Sequence, residues 1–287
     1  MHIKYFVRIF ASLIIKPLDV AHDTDEVLKN MLGAIIGDIV GSRFEFDNTN
    51  KKNFKLFTRD CSFTDDTICT VAVADAILNN KDYGKTLHDW CKKYPYPMGG
   101  YGGRFGAWVR SDNPKPYNSF GNGSAMRVSP VGWLFDDVHD VFSEATKSAA
   151  CTHDHSEGIK GAQAIAMGVL SLRHGMDKKT LADLVTLTFG YDLSKSVDEI
   201  RMDNSFDETC QVTVPQAYIC FLQSTSFEDA IRNAISIGGD SDTIGAMTGA
   251  LAEACYGIPG DIKRTAMSYL DKRMSEVVKA FEAKMAK

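Results

Sequence analysis

Three observations predict an all-α fold, a single compact multi-helix domain. Apolar residues recur at helical spacing along most of the chain. Strand signals are sparse, with neither strand–helix alternation nor a run of hairpin turns. The Gly- and Pro-containing stretches at 94–103 and 112–123 do not read as linkers, because apolar patterning resumes directly on both sides of each. No repeat recurs at a fixed period.

The first 30 residues stand apart. Residues 5–15 are apolar but interrupted by Arg8, and Lys16-Pro17 follows, so the run is too short to span a bilayer. No convincing cleavage site of small residues marks a signal peptide. Strong patterning opens at Met31, which divides the chain into an N-terminal extension of unknown role (1–30) and one compact domain (31–287). Within that domain, Gly33, Gly37 and Gly41 stand four apart, a spacing that lets two helices approach closely. Residues 68–78 form an Ala-rich helix pattern, and 159–172 a second one. Residues 178–187 and 227–237 read as amphipathic helices, and 244–256 as a buried Ala/Gly-rich one. Residues 262–284 are predicted to be one long surface helix closing the chain.

The chain of 287 residues is 44% hydrophobic and 24% charged, an ordinary soluble composition. A net charge of −5 leaves no basic patch to release counterions, so stable nucleic-acid binding is not expected, nor is a membrane. The seven cysteines are odd in number and contain no CxxC, which argues against a zinc ribbon or a disulfide framework and for a reducing cytoplasm. Cys151, beside a His-rich segment, is read as a buried small residue rather than a thiol nucleophile.

Two short acidic segments carry the chemistry. The first is Thr64-Asp65-Asp66-Thr67; the second, about 170 residues later, runs Gly238-Gly239-Asp240-Ser241-Asp242-Thr243-Ile244-Gly245. Four carboxylates drawn together repel one another unless a cation cancels their charge. Mg²⁺ and Mn²⁺ prefer carboxylate, hydroxyl and water oxygens. Residues two apart in a helix point about 200° apart. Each pair therefore converges only from the turn ahead of its helix, with the helix dipole end facing inward. Simple N-capping is the alternative for either segment alone.

Further candidates surround these. Glu45 lies between Phe44 and Phe46, and partial burial would raise its pKa toward an acid/base role; a surface-loop glutamate is the other reading. Residues 119–127, SFGNGSAMR, resemble a phosphate cradle of small residues, without the ending of a Walker loop or the preceding strand of a dinucleotide fingerprint. The His153-Asp154-His155 pair is expected to contact substrate or cap a helix rather than bind zinc.

Taken in order, GAIIGDIVGS, TDDT, GYGG, FGNGSAMR, TH and GGDSDTIG resemble the hallmarks of the ADP-ribosylglycohydrolase family over nearly all of 31–259. The resemblance implies an all-α fold with a binuclear Mg²⁺ or Mn²⁺ site. It implies Thr64, Asp65, Asp66, Asp240, Asp242 and Thr243 as metal ligands. Glu45, Asp66 and Asp240 are the implied catalytic candidates. Gly100, Tyr101, Gly102, Ser119, Phe120, Gly121, Asn122 and His153 are implied around ADP-ribose, with Tyr117 a candidate for stacking on adenine. The loop 113–118 is shorter than in the serine-directed eukaryotic member, and the first 30 residues match nothing in the family.

The activity so implied is metal-dependent hydrolysis of the bond between ADP-ribose and an acceptor, most simply an ADP-ribosylated protein with an arginine-type linkage. Serine-linked, nucleic-acid-linked and O-acetyl conjugates remain alternatives, and the protein is expected to be a monomer. Two rivals compete. A prenyl-diphosphate enzyme wants DDxxD spacing that TDDT lacks. A non-catalytic ADP-ribose binder or crystallin-like relative would be marked by loss of the aspartates, all four of which are present.

Overall fold

The computed structural model describes residues 31–286 except Asn204, so the expectation for residues 1–30 lies outside the described residues. Helices run in the order α1 (Leu32–Gly41), a 3₁₀ turn (Ser42–Phe44), α2 (Asp65–Leu78), α3 (Tyr83–Lys93), α4 (Gly103–Arg110), α5 (Gly123–Met126), α6 (Ser129–Leu134) and α7 (Val138–Ala150). They continue with α8 (Ser156–Arg173), α9 (Lys178–Phe189), α10 (Val197–Asp203), α11 (Cys210–Leu222), α12 (Phe227–Ser236), α13 (Ser241–Tyr256), α14 (Gly260–Met267) and α15 (Lys272–Met285). Among the described residues, β-structure is confined to two isolated bridges, Thr64 with Met98 and Gly121 with Thr209. The all-α prediction holds.

The centre of the fold is α1 packed against α13. Every residue of α1 is buried, and so are Ser241–Glu253 of α13. A helix hydrophobic on all sides has to be surrounded by others, and α8, α11 and α12 pack around α13 while α2 flanks α1. Glycine allows the central contact. A Cβ at Gly37 would overlap the Gly245 carbonyl, and one at Gly245 would sit 2.6 Å from the Gly37 oxygen. At the end of the crossing, Gly41 abuts the backbone of Asp242. The glycine spacing thus fixes the C-terminal turn of α1 against the N-terminus of α13. Glu253, buried on α13, accepts from the Gly33 amide at 2.7 Å and anchors the other end.

One expected element is divided. Residues 262–284 are two helices, α14 and α15, separated by a short turn. The Asp271 side chain accepts from the Met274 amide at 2.9 Å and begins α15 as its N-cap, so an acid read as part of a charged helical face is a start signal. No helix among the described residues is long and apolar enough to cross a membrane.

Candidate metal centre and ligand cavity

Three backbone segments converge where α1 ends and α2 and α13 begin. Thr64 is the N-cap of α2, its hydroxyl accepting from the Asp66 amide at 3.2 Å. Asp65 and Asp66 therefore occupy the first helical turn rather than the turn ahead of it. At α13, Gly238 and Gly239 adopt φ of +71° and +75°, a left-handed turn that a Cβ would strain. This turn delivers Asp240 to the N-cap position with non-helical dihedrals, φ −77° and ψ 76°, while Asp242 lies inside the helix. The mixed backbone is what lets Asp240 and Asp242 converge.

Carboxylate oxygens gather in two groups, each within 4.8 Å: Asp38, Asp66 and Asp242 in one, and Glu45, Asp240 and Asp242 in the other. Asp242 belongs to both. The distant segments touch directly, since the Thr243 hydroxyl donates to Asp66 Oδ2 at 3.1 Å. Asp65 is in neither group, but it lines the adjoining cavity and feels the charges of Asp240 and Glu45. Thr64 turns its hydroxyl to Asp38 Oδ1 at 2.7 Å.

Asp38 was missed as a site residue. Its carboxylate accepts from the amides of Thr64 and Thr67, both at 3.0 Å, and so satisfies free N–H groups at the start of α2. The signal was there to read: a lone acid inside an otherwise apolar, glycine-spaced helix that could not leave it in water.

The electrostatics are those of a centre with too much negative charge. Burial pushes Asp38 up to about 6, against the pull of its hydrogen bonds to Thr67 and Thr64. Burial, then neighbouring carboxylates, raises Asp65, Asp66 and Asp242 well above the usual range, and Asp240 rises chiefly through burial. Glu45 rises to about 7 through burial and the charges of Asp240, Asp38 and Glu208. The described carboxylates that have ion-pair partners lie elsewhere, for example Asp75 with Lys81 and Asp229 with Lys52. Asp66 Oδ1 is buried with no hydrogen-bond partner at all. A buried carboxylate oxygen without donor or counter-charge is costly. Clustered hard oxygen donors with one such orphan suit Mg²⁺, Mn²⁺ or a similar hard cation.

A cavity of about 390 Å³ opens beside the cluster. One wall is acidic, with Glu45, Asp65, Asp240, Asp242 and Glu208. Elsewhere Arg104, Arg127 and His153 line it, with Gly100, Tyr101, Gly102, Tyr117, Ser119, Gly121 and Asn122 between. Asn122 ties the two together, donating from Nδ2 to Asp240 Oδ2 at 2.7 Å. Glu45 rests against Gly99, where a Cβ would collide with its carboxylate. Tyr101 contributes mainly backbone, because its phenol donates to the Tyr94 carbonyl at 2.8 Å and that of Cys91 at 3.1 Å. Tyr117 packs on His153, ring centroids 5.7 Å apart, and lies under the Arg104 guanidinium. Phe120 is a departure: it does not line the cavity, and its half-exposed ring turns to His155, 5.3 Å away.

The HxH pair separates. His155 is the N-cap of α8, accepting from the Glu157 amide at 3.1 Å, while His153 enters the cavity. Cys151 is half-buried rather than buried; it gives its thiol proton to the Ser148 carbonyl at 3.2 Å, and desolvation raises its pKa, away from an activated nucleophile. All seven cysteines are free thiols.

A family model described as ADP-ribosylglycohydrolase matches residues 20–286, so the match begins ahead of Met31 and corrects the expectation that residues 20–30 match nothing in the family. The chain belongs to the ADP-ribosylglycohydrolase family. As a family member it is a glycosidic-bond hydrolase. It is 28% identical to the ADP-ribosylhydrolase ARH3 of Mus musculus, over 79% of this chain and 83% of that one. It is 26% identical to the ADP-ribosylarginine hydrolase Tri1 of Pseudomonas putida (strain GB-1), over 80% and 70%. A solved chain described as an ADP-ribosylglycohydrolase-related protein complex superposes with a TM-score of 0.68 at 24% identity, covering 91% of this chain and 98% of that one, which shows the fold.

Proposed function

We propose that this ADP-ribosylglycohydrolase uses a divalent-cation centre to cleave ADP-ribose from protein side chains, with an arginine-type linkage as substrate. The observation that carries the reading is the pair of acidic groups sharing Asp242, with an orphaned Asp66 oxygen. Thr64, Asp65, Asp66, Asp240, Asp242 and Thr243 would hold two ions, Mg²⁺ or Mn²⁺, with Asp38 supporting them from α1. Bound cations would cancel the cluster's charge and orient the hydroxyls of the substrate ribose.

The residues of the chain account for the rest. Arg104 and the glycine amides of 100–102 and 121–123 suit the diphosphate, and Tyr117 offers a ring to the adenosine end. With the diphosphate there, the scissile C1″ faces the acidic wall. The bond from C1″ to the leaving nitrogen breaks through an oxocarbenium-like state, water adds to C1″, and one proton passes to the departing group. Glu45, poised near neutrality by burial and by Asp240, is suited to that proton transfer; Asp66 and Asp240 are held in the cluster and would act through it.

Two features support the arginine linkage. The Pseudomonas putida relative is an ADP-ribosylarginine hydrolase by name. The cavity mouth also combines acids with aromatic surface: Glu208 is exposed beside Glu45, and Phe46 stacks on Phe206 with centroids 6.1 Å apart. A guanidinium suits such a wall. We further propose that the protein acts as a cytoplasmic monomer. The test is a panel of ADP-ribosylated substrates linked through arginine, serine, a nucleic-acid base or an acetyl ester, each assayed with Mg²⁺, Mn²⁺ or EDTA. Release of ADP-ribose fastest from arginine and lost in EDTA is the expected result; turnover of none of them, with ADP-ribose still bound, would make the protein a reader.

A further inference from the structure

We propose that Thr152, itself held by Arg127, fixes His153 in the tautomer that carries its proton on Nε2, so that an uncharged N–H donor faces the ligand cavity. The argument starts at Arg127. It is fully buried, yet the described arginines with carboxylate partners are Arg173, Arg201 and Arg232. A buried guanidinium without an ion pair is unfavourable unless its hydrogen bonds serve a structural end. Its Nη2 group donates to the Ser148 carbonyl in the last turn of α7 at 2.7 Å and to Thr152 Oγ1, between α7 and α8, at 2.8 Å.

That second bond fills one of the two acceptor sites of Thr152 Oγ1 and leaves its proton to be placed. A threonine hydroxyl has one proton, and Oγ1 is already accepting from Arg127. Its own proton has two acceptors in reach, His153 Nδ1 at 2.7 Å and the Ala149 carbonyl at 3.5 Å. The shorter, stronger bond takes it. Nδ1 is then an acceptor, and the ring proton must sit on Nε2. Nε2 lies over the GNG loop, 3.0 Å from where a Cβ of Gly123 would be and 3.5 Å from that of Gly121, on the cavity wall. Burial and the nearby charges of Arg127 and Arg104 keep the ring neutral, in the same sense. Thr152 is also tied by its carbonyl to the Tyr117 amide at 3.2 Å, so one short segment positions both rings. Thr152 and Arg127 are positioning residues; the group that would meet a phosphate or ribose oxygen is His153. That last step rests on the ADP-ribose reading, whereas the tautomer does not.

The two parts are tested separately. Nitrogen NMR on the full chain with labelled histidines, His153 assigned by a His153→Gln spectrum, should show a protonated Nε2 and a bare Nδ1 at pH 7 without ligand. Thr152→Val should mix the tautomers and Thr152→Ser restore the single one. A proton on Nδ1 or a charged ring in the wild type, or a Thr152→Val spectrum unchanged from wild type, would overturn the proposal. Calorimetry with ADP-ribose should show about tenfold weaker binding for Thr152→Val, recovered by Thr152→Ser. A wild-type protein with the stated tautomer that binds no ADP-ribose would refute the ligand half together with the functional reading, and leave the tautomer standing.

Discussion

Asn48 and Gly239 exchange two hydrogen bonds across 191 residues of sequence: Asn48 Nδ2 donates to the Gly239 carbonyl at 3.0 Å, and the Gly239 amide donates to Asn48 Oδ1 at 2.8 Å. The same Nδ2 also donates to the Phe44 carbonyl at 2.5 Å. One side chain thus joins the segment carrying Glu45 to the turn that presents Asp240. Asn48→Ala is expected to lower kcat about tenfold or more through misplaced Glu45, with a stability loss of about 1–2 kcal/mol. Steady-state rates and thermal melts check this. Unchanged kcat would mean that Glu45 is positioned without the bridge.

The acidic cluster predicts an asymmetry between charge and fold. Asp66→Ala and Asp240→Ala each remove one carboxylate from a repelling group, so the cation-free protein should melt at or above the wild-type temperature. The rise in melting temperature on adding Mg²⁺ or Mn²⁺ should disappear, and ADP-ribose release with it. Asp38→Asn is the informative companion: the amide keeps an oxygen acceptor for the Thr64 and Thr67 amides and loses the charge. An undiminished Mg²⁺ response in all three variants would remove the centre from these residues.

Stability should also depend on pH in an unusual direction. Asp38 rises from 3.8 to about 6 and Glu45 from 4.5 to about 7 on folding. Between the unfolded and folded values the native state holds more protons than the unfolded one. The contribution is therefore largest at low pH and is lost as pH rises through about 4 to 7. Asp75, Asp136 and Asp229 are shifted down and act oppositely, but only below their ordinary value of 3.8. In EDTA the melting temperature should fall from pH 5 to pH 8. Saturating Mg²⁺ should flatten or reverse the slope. A melting temperature in EDTA that climbs over that range would contradict the cluster's electrostatics.

Gly37→Ala is predicted to be severe despite adding a single carbon. The new Cβ would overlap the Gly245 carbonyl, a backbone atom that cannot rotate away, so α1 and α13 must separate. Overpacking of this kind costs about 1–3 kcal/mol or more. Separation also displaces Asp242, which abuts Gly41 one turn on. Loss of both thermal stability and the Mg²⁺ response is expected, measured against Gly190→Ala, where nothing lies near the added carbon but its φ of +71° carries a strain of its own.

What the sequence showed and what it hid follow from range. Glycine spacing, caps and apolar periodicity are local, and they located α1, α2, α8 and α13. The convergence of TDDT on GGDSDTIG came from chemistry, since no sequence distance predicts that Thr243 would reach Asp66. Asp38 escaped because its partners, the amides of Thr64 and Thr67, are peptide groups that leave no mark in composition. Asn48 escaped for the same reason, as its main partner is the backbone of Gly239. Phe120 was placed at the cavity by its motif, but alternation along an irregular loop did not say which way the ring would turn.

The acceptor side of the cavity yields the last prediction. Glu208 is exposed at the mouth, adds to the charge that raises Glu45, and accepts the Asn122 amide through its carbonyl at 2.7 Å. Its backbone is thus committed to the loop while its carboxylate remains free to meet an acceptor. Phe46, exposed and stacked on Phe206, forms the neighbouring surface. If the departing group is a guanidinium, Glu208→Gln should raise KM for an ADP-ribosylarginine substrate about threefold to tenfold, the scale of a partly exposed charged contact, and should lessen its dependence on salt. Phe46→Ala should act in the same direction by removing a face for the cation. Free ADP-ribose, which lacks the acceptor, should bind both variants as it binds the wild type. A loss of affinity for ADP-ribose equal to the loss for the conjugate would place Glu208 on the nucleotide rather than the acceptor, and a larger loss for a serine-linked conjugate would turn the specificity reading around.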